Sequence, residues 1–510
     1  MTKSLPSRPN LEQLKKQAKE LLKSIKSSTP EAVQRVREFH PHWPKASEAE
    51  VRAARFSLND AQLVIAREYG FATWPKLKAH VDSHGIEKSE PLERLKKAFT
   101  EDDAALFAEL LEQNPQLKAG INEPVAGFDA PLICAVRSRQ MLDVLLAAGA
   151  DLNAKSRWWA GGFGLLHCGN PDLAAYAIER GAVVDAHAAA RLGLIQRLRE
   201  LVSRDPSLVQ ARGGDGQTPL HFASTVEIAE CLLEHGAEMD ARDVDHESTP
   251  AQYMTGDRQH IARYLVGRGC QTDLLMAAAL GDAGLVRKHL EADPGCIRMR
   301  VSEEFFPMVG GKTGGTIYQW TLGWYVSAHQ VAKKFGHHQL FDLLIEHSPA
   351  HVRLLVACWL GDHATTESLL AAHPNLVANL SPADRRQAAH AARNNDLVAL
   401  RVMLEAGLPV DARSQHDATP LHWAGFHGNA EMARTILRYH PPLEVADRDF
   451  KSTPLGWAIH GSENGWYRRT GDYAATVEAL LRAGAKPPEK VEGTDVVKEV
   501  LRRFGAKHPA

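Results

Sequence analysis

Thr218-Pro219-Leu220-His221-Phe222-Ala223 and Thr419-Pro420-Leu421-His422-Trp423-Ala424 are two copies of one phrase. Weaker copies stand at Thr453-Pro454-Leu455-Gly456-Trp457-Ala458 and Thr249-Pro250-Ala251. A second phrase recurs downstream: Leu145-Leu146-Ala147-Ala148-Gly149-Ala150-Asp151, Leu232-Leu233-Glu234-His235-Gly236-Ala237 and Leu480-Leu481-Arg482-Ala483-Gly484-Ala485. The threonines lie 31 residues apart from 218 to 249 and 34 apart from 419 to 453, a period of about 33.

Each piece of the unit has a physical task. Threonine caps a helix, and proline fits the first helical turn, where its missing N–H has no partner to lose. Leucine and alanine at short helical spacing pack a first helix, and the Leu-Leu pair packs a second. Glycine then suits the left-handed residue that ends a helix. Such a helix–turn–helix–loop unit cannot bury its apolar face alone and must stack on its neighbours.

These phrases resemble the ankyrin family, whose hallmark is T-P-L-H-x-A in a 33-residue unit. The resemblance implies an all-α solenoid of about twelve units over residues 91–488, with finger loops and first helices lining a concave face that binds a protein partner. Degenerate units carry proline where glycine would end the second helix, at Asp205-Pro206, Asp293-Pro294 and His373-Pro374. Residues 1–90 read as a separate helical cap or adaptor. Leu11, Leu14, Ala18, Leu21, Leu22 and Ile25 mark an amphipathic helix, Ser57-Leu58-Asn59-Asp60 starts another, and Phe71-Ala72-Thr73-Trp74-Pro75-Lys76-Leu77 opens a third. RPNLEQLKKQAKELL and FATWPKLK resemble a leader found before ankyrin arrays in some bacterial proteins. Residues 489–510 hold a C-terminal capping helix over Asp495–Phe504.

The 510 residues carry 60 Lys+Arg and 62 Asp+Glu, a net charge of −2 that speaks against a dedicated nucleic-acid or anionic-membrane binder. No signal-like apolar region opens the chain, and the longest apolar run, Leu274–Leu280, is too short to span a bilayer. Six widely spaced cysteines without a CxxC read as small buried hydrophobes in a reducing compartment, so a cytoplasmic protein without disulfides or metal is expected.

Three departures from the repeat stand out. The first is Lys155-Ser156-Arg157-Trp158-Trp159-Ala160-Gly161-Gly162-Phe163-Gly164. The second runs over 301–325, where Phe305–Val309 and Thr316–Trp320 flank Gly310-Gly311-Lys312-Thr313-Gly314-Gly315 and predict a β-hairpin. Gly310-Gly311-Lys312-Thr313 lacks the preceding glycine and the strand–helix context of a phosphate loop. The third is His460-Gly461-Ser462-Glu463-Asn464-Gly465-Trp466-Tyr467-Arg468-Arg469-Thr470-Gly471-Asp472.

Arg157, Trp158, Trp159, Phe163, Trp320, Trp324, His422, Trp423, Trp457 and Trp466 are therefore the candidate binding residues. Two readings of the tryptophans stand side by side: an aromatic groove for a flat ligand or peptide, and packing of long fingers on one another. The motif histidines His167, His221 and His422 are expected to bond neighbouring finger backbone, whereas His329, His427 and His460 lie outside the motif. Finger carboxylates such as Asp215, Asp243, Asp245, Asp447 and Asp449 ordinarily cap turns. His460, Glu463 and Asp472 are the catalytic candidates, since paired carboxylates beside tryptophan suit glycoside chemistry. No HExxH, GxSxG or GxGxxG constellation is present, and no cofactor is implied. Two functions follow: a scaffold for a protein partner, and, alternatively, a small-molecule site or a carbohydrate-directed hydrolase on the concave face.

Overall fold

The computed structural model describes residues 11–27, 29–41, 43, 50–51, 54, 56–71, 73–74, 77, 91–311 and 313–505. The leader phrase is thus described from Leu11 onward. Much of the third N-terminal helix expected at Phe71–Leu77, the 78–90 connection, Lys312 and residues 506–510 lie outside it. The chain divides into two compact units, 1–157 with 164–183, and 158–163 with 184–510.

In the first unit, helices Leu11–Lys26, Pro30–Phe39 and Leu58–Glu68 share a core of Leu14, Ala18, Leu21, Val33, Val36, Val64 and Ile65. The expected start at Ser57 is a full capping box, with Ser57 and Asp60 satisfying each other's backbone N–H. Buried Glu68 is held by Arg35, whose terminal nitrogen donates at 2.8 Å. Helices at 91–100, Ala104–Gln113, Arg139–Ala147 and Pro171–Glu179 complete this unit.

The second unit shows what the T-P-L-H phrase does. Thr419 N–H donates to His422 Nδ1 at 3.1 Å, and His422 Nε2–H reaches forward to the Ser452 carbonyl of the next finger, also at 3.1 Å. Thr218, His221 and Ser248 repeat the arrangement at 3.1 and 3.2 Å. The two units differ in length for a legible reason. The 34-residue interval holds a two-turn first helix, Pro420–His427, while the 31-residue interval leaves room only for a 3-10 turn, Pro219–Phe222. Gly236 ends helix Val226–Glu234 at φ +88°, with its own N–H on Leu233 O and that of Ala237 on Leu232 O. Where proline replaces glycine, Asp205 and Asp293 cap short 3-10 turns.

The predicted β-hairpin at 301–325 does not form. Isolated bridges occur among the described residues, but no strand. The two ends of the segment are joined by Tyr325 N–H on Val301 O at 3.0 Å, but its middle donates to side chains of the 243–248 finger. Glu247 accepts from Val309 and Gly310 N–H, Asp245 Oδ1 from Gly314 N–H at 2.9 Å, and Ser248 Oγ from Ile317 N–H at 3.1 Å. Tyr318 then opens a short helix, Tyr318–Thr321, and is fully buried, with its hydroxyl on Asp273 at 2.9 Å. No disulfide joins the six cysteines; five are buried, while Cys168 is exposed, against expectation. Among the described residues no helix is long and apolar enough to cross a membrane.

Burial lowers several imidazoles of the second unit far below 6.5: His221 and His390 to about 3, His329, His422 and His427 to about 4. These rings stay neutral when folded but take up protons near pH 6.5 once unfolded. Their stabilisation is full above pH 6.5 and is lost as pH falls toward 4, at about 1.4 kcal/mol per pH unit for each proton taken up by the unfolded state alone. The melting temperature is expected to fall steadily from pH 7 to pH 4.5, with a shallower slope in His422→Asn; a flat profile across that range would contradict the assignment.

Candidate functional site

Small residues decide where the aromatic side chains meet. Helices Pro420–His427 and Pro454–Asn464 approach so closely that a Cβ on Gly425 would stand 2.6 Å from Pro454 O, and one on Gly461 2.6 Å from Phe426 O. Tyr473 bonds the Phe426 carbonyl through its hydroxyl at 2.9 Å. The indole N–H of Trp423 is fixed on Ser414 and that of Trp457 on Asp447, both at 3.0 Å. Trp423 and Trp457 therefore meet edge to face at 5.1 Å between centroids. The 465–471 turn returns Trp466 over Trp423 at 6.0 Å, with Phe426 edge-on to Trp466 at 5.4 Å.

Arg393, the last residue of helix Gln387–Arg393, enters this cluster. Its guanidinium carbon lies 3.9 Å from the Trp324 ring centroid, 5.4 Å from Trp466 and 5.6 Å from Trp423. All three distances are within cation–π range. Nε donates to Gln415 Oε1 at 2.9 Å, and the Arg393 carbonyl accepts from His427 Nε2 at 2.9 Å. Among the described residues no carboxylate pairs with this cation, and its two terminal nitrogens make no hydrogen bond. Burial alone pushes its pKa down to about 10, still far above neutrality. The result is a permanently charged planar donor, walled by three indoles, with free N–H groups of the geometry that suits a carboxylate or phosphate.

Around it the surface is apolar and open. Phe450 is 64% exposed, Trp466 58% and Tyr467 38%. His416, at φ +63°, packs on Phe450 at 5.3 Å and bonds Asp449 at 2.8 Å. Arg448, with help from His416, holds the Asp449 carboxyl down at about 2.

The sequence candidates are distributed as follows. Trp324, Trp423, Trp457 and Trp466 come together here. His422 is fully buried with both ring nitrogens engaged, so it shapes the finger and does not face a ligand. Trp158 and Trp159 stand 6.2 Å apart in the first departure, where Phe163 packs near Gly214; Arg157 belongs to the first unit. Trp320 is 73% exposed, and among the described residues no aromatic ring contact involves it. The Asp472 carboxylate is spent capping helix Tyr473–Arg482. His460 and Glu463 are exposed, and His460 contacts Asn464 at 3.4 Å. The second and third departures thus meet at Arg393 through Trp324 and Trp466. A cavity of about 420 Å³ lies between Phe305, Phe306 and Met308 of the second departure and Arg242, Gln252 and Asp273 of the preceding repeats.

Sequence reasoning missed Arg393, Gln415, His416, Phe450 and Tyr467. One signal was available: Arg393 ends the small-residue run Ala388-Ala389-His390-Ala391-Ala392. A long cation on a helix whose other side chains are small can reach across the gap they leave.

Gly461→Ala places a methyl against backbone atoms that cannot give way. It is expected to lower stability in urea unfolding by about 1–3 kcal/mol and to shift tryptophan emission to the red. Wild-type stability with unchanged emission would show that the two helices do not depend on this approach.

Comparison with known proteins places these residues in context. A family model, ankyrin repeat, matches residues 215–244. A serine/threonine-protein kinase, VIK, from Arabidopsis thaliana is 47% identical over 49 residues, 9% of this chain and 11% of that protein. The E3 ubiquitin-protein ligase XB3 from Oryza sativa subsp. japonica is 36% identical over 83 residues, 16% of this chain and 18% of that protein. The chain therefore spans less than a fifth of the length of either curated relative, and both are plant proteins. The crystal structure of the human ASB11 ankyrin repeat domain is similar at 20% identity and a TM-score of 0.20, covering 59% of this chain and 99% of that one. The chain contains an ankyrin repeat at residues 215–244, set in an all-helical array of paired helices.

Proposed function

We propose that this chain is an ankyrin-type scaffold that docks a protein partner over Phe450, Trp466 and Tyr467, with a carboxylate of the partner on Arg393. One observation carries the reading: the Arg393 cation is held among three indoles with no carboxylate of its own. Tryptophan, tyrosine and arginine are the residues that dominate interface energetics, and here they occupy one patch. The walls belong to Trp324, Trp423 and Trp466, with Trp457 packed behind Trp423, and Trp466 also forms the open rim. A carboxylated small molecule would use the same donor, which makes it the second reading. Catalysis gains no support from this patch, where burial keeps His427 neutral and Asp472 is used as a cap. Cysteines outside any disulfide suit a cytoplasmic setting. The grouping with bacterial ankyrin proteins rests on the leader phrases and on the three departures from the repeat.

The test compares proteins captured from the native cell extract by the wild-type chain, Trp466→Ala, Phe450→Ala and Arg393→Gln. Trp466 and Phe450 are mostly exposed, so their removal should leave melting curves unchanged. At least one captured protein is expected to drop by about tenfold or more in each variant, as loss of a hot spot requires. An identical captured set from all four proteins overturns the reading. Displacement from the wild type by a carboxylated metabolite, without any protein partner, supports the small-molecule alternative.

A further inference from the structure

A second cluster lies in the fingers, apart from the aromatic patch. Asp215 sits at φ +54° in the turn of the 213–217 finger. Its carbonyl accepts from Val244 and Asp245 N–H at 2.8 and 3.2 Å, so this finger is joined to the next. One donor atom each from Asp215, Asp245 and His246 lies within 4.8 Å of the others.

The imidazole decides what this cluster is for. His246 is 8% exposed, and its Nδ1 stands 2.7 Å from the Gly315 carbonyl, an oxygen that can only accept. Nδ1–H donates to that carbonyl, which turns Nε2 toward the cluster. That atom makes no hydrogen bond among the described residues, and it faces Asp245 Oδ2 at 3.8 Å. A cation between them would be shared by the imidazole nitrogen and the carboxylate oxygens. A histidine that gives its other N–H to a backbone carbonyl is the orientation device of metal sites.

The surroundings agree. Asp245 Oδ1 accepts from Gly314 N–H at 2.9 Å, which leaves Oδ2 for the cluster. Asp243 holds His246 N–H at 2.8 Å and Ser248 N–H at 2.7 Å, and takes the Tyr253 hydroxyl at 3.0 Å, so it anchors the turn. No lysine or arginine pairs with Asp215, Asp243 or Asp245 among the described residues. A Cβ on Gly314 would lie 2.9 Å from His246 Cε1 and 3.2 Å from Asp245 Oδ2, so glycine there keeps the space beside the donors open.

We propose that Asp215, Asp245 and His246 bind a first-row divalent cation of the zinc class, clamping the 213–217 and 243–248 fingers to the 301–325 segment. One imidazole nitrogen and two carboxylate oxygens suit zinc or manganese better than calcium or magnesium, which prefer oxygen-only shells. Donors about 2.0–2.2 Å from such an ion stand about 3–4 Å apart, so small inward rotations of the carboxylates close the site. Three protein donors leave a position for water.

The test uses the full chain stripped with EDTA and titrated with zinc chloride by calorimetry, with cobalt chloride as a spectroscopic probe and magnesium and calcium chloride as comparators. The wild type is expected to bind one zinc ion tightly, to melt at a higher temperature with it, and to give cobalt d–d absorption. Asp215→Asn keeps the shape of the side chain and should weaken zinc by about tenfold or more; His246→Gln should abolish the cobalt absorption. If His246→Gln loses its circular dichroism, Asp215→Asn alone decides. Zinc binding that is absent in the wild type, or unchanged in Asp215→Asn, overturns the proposal, the latter by placing the ion on other histidines.

Discussion

A neutral imidazole bridging two repeats is the interaction on which the second unit depends. His221 and His422 each accept from the threonine that starts their own repeat and donate to a carbonyl of the following finger, Ser248 and Ser452. The ring must be neutral to do both, and burial keeps it so. Apolar stacking supplies the energy of a repeat array, but it is tolerant of small slips. These directed bonds are not, and they set where each finger stands. The same demand explains the 301–325 segment. There the N–H groups of Val309, Gly310, Gly314 and Ile317 are met by the side chains of Glu247, Asp245 and Ser248 of the preceding finger. Carboxylates do there what histidine does elsewhere.

Fixed fingers and close helices together produce the aromatic patch. Gly425 and Gly461 allow a separation at which Trp423 and Trp457 touch, and the side chains of Ser414 and Asp447 fix their indole N–H groups. A partly buried arginine loses hydration, and a carboxylate would be the usual compensation. Indole faces and Gln415 provide it instead, which keeps the charge uncompensated and available. Burial keeps His422 and His427 neutral, so these two rings are poor proton carriers at physiological pH.

The departures from the repeat are where polar chemistry collects. The tail of the 301–325 segment delivers Trp324 to Arg393, while its glycines close over Asp245 and His246. One irregular stretch thus contributes to two distinct constellations. Both draw residues from elements far apart in sequence, and both use glycine where a side chain would fill the space.

The sequence by itself determined the repeat: its period, its threonine caps, its glycine and proline helix ends, and the backbone-bracing role of the motif histidines. Those features are local, because each depends on residues within one turn or one repeat. It also pointed to Trp324, Trp423, Trp457 and Trp466, which are conspicuous by type. It misread 301–325, since β-branched and aromatic residues around glycines favour a hairpin only when the backbone has no better partners, and the neighbouring finger offers them. Arg393 and the Asp215–Asp245–His246 cluster were decided by tertiary structure alone. Whether a charged side chain is paired or left open depends on which carboxylates the stacking of repeats brings near it, and that distance is written in no single stretch of the chain.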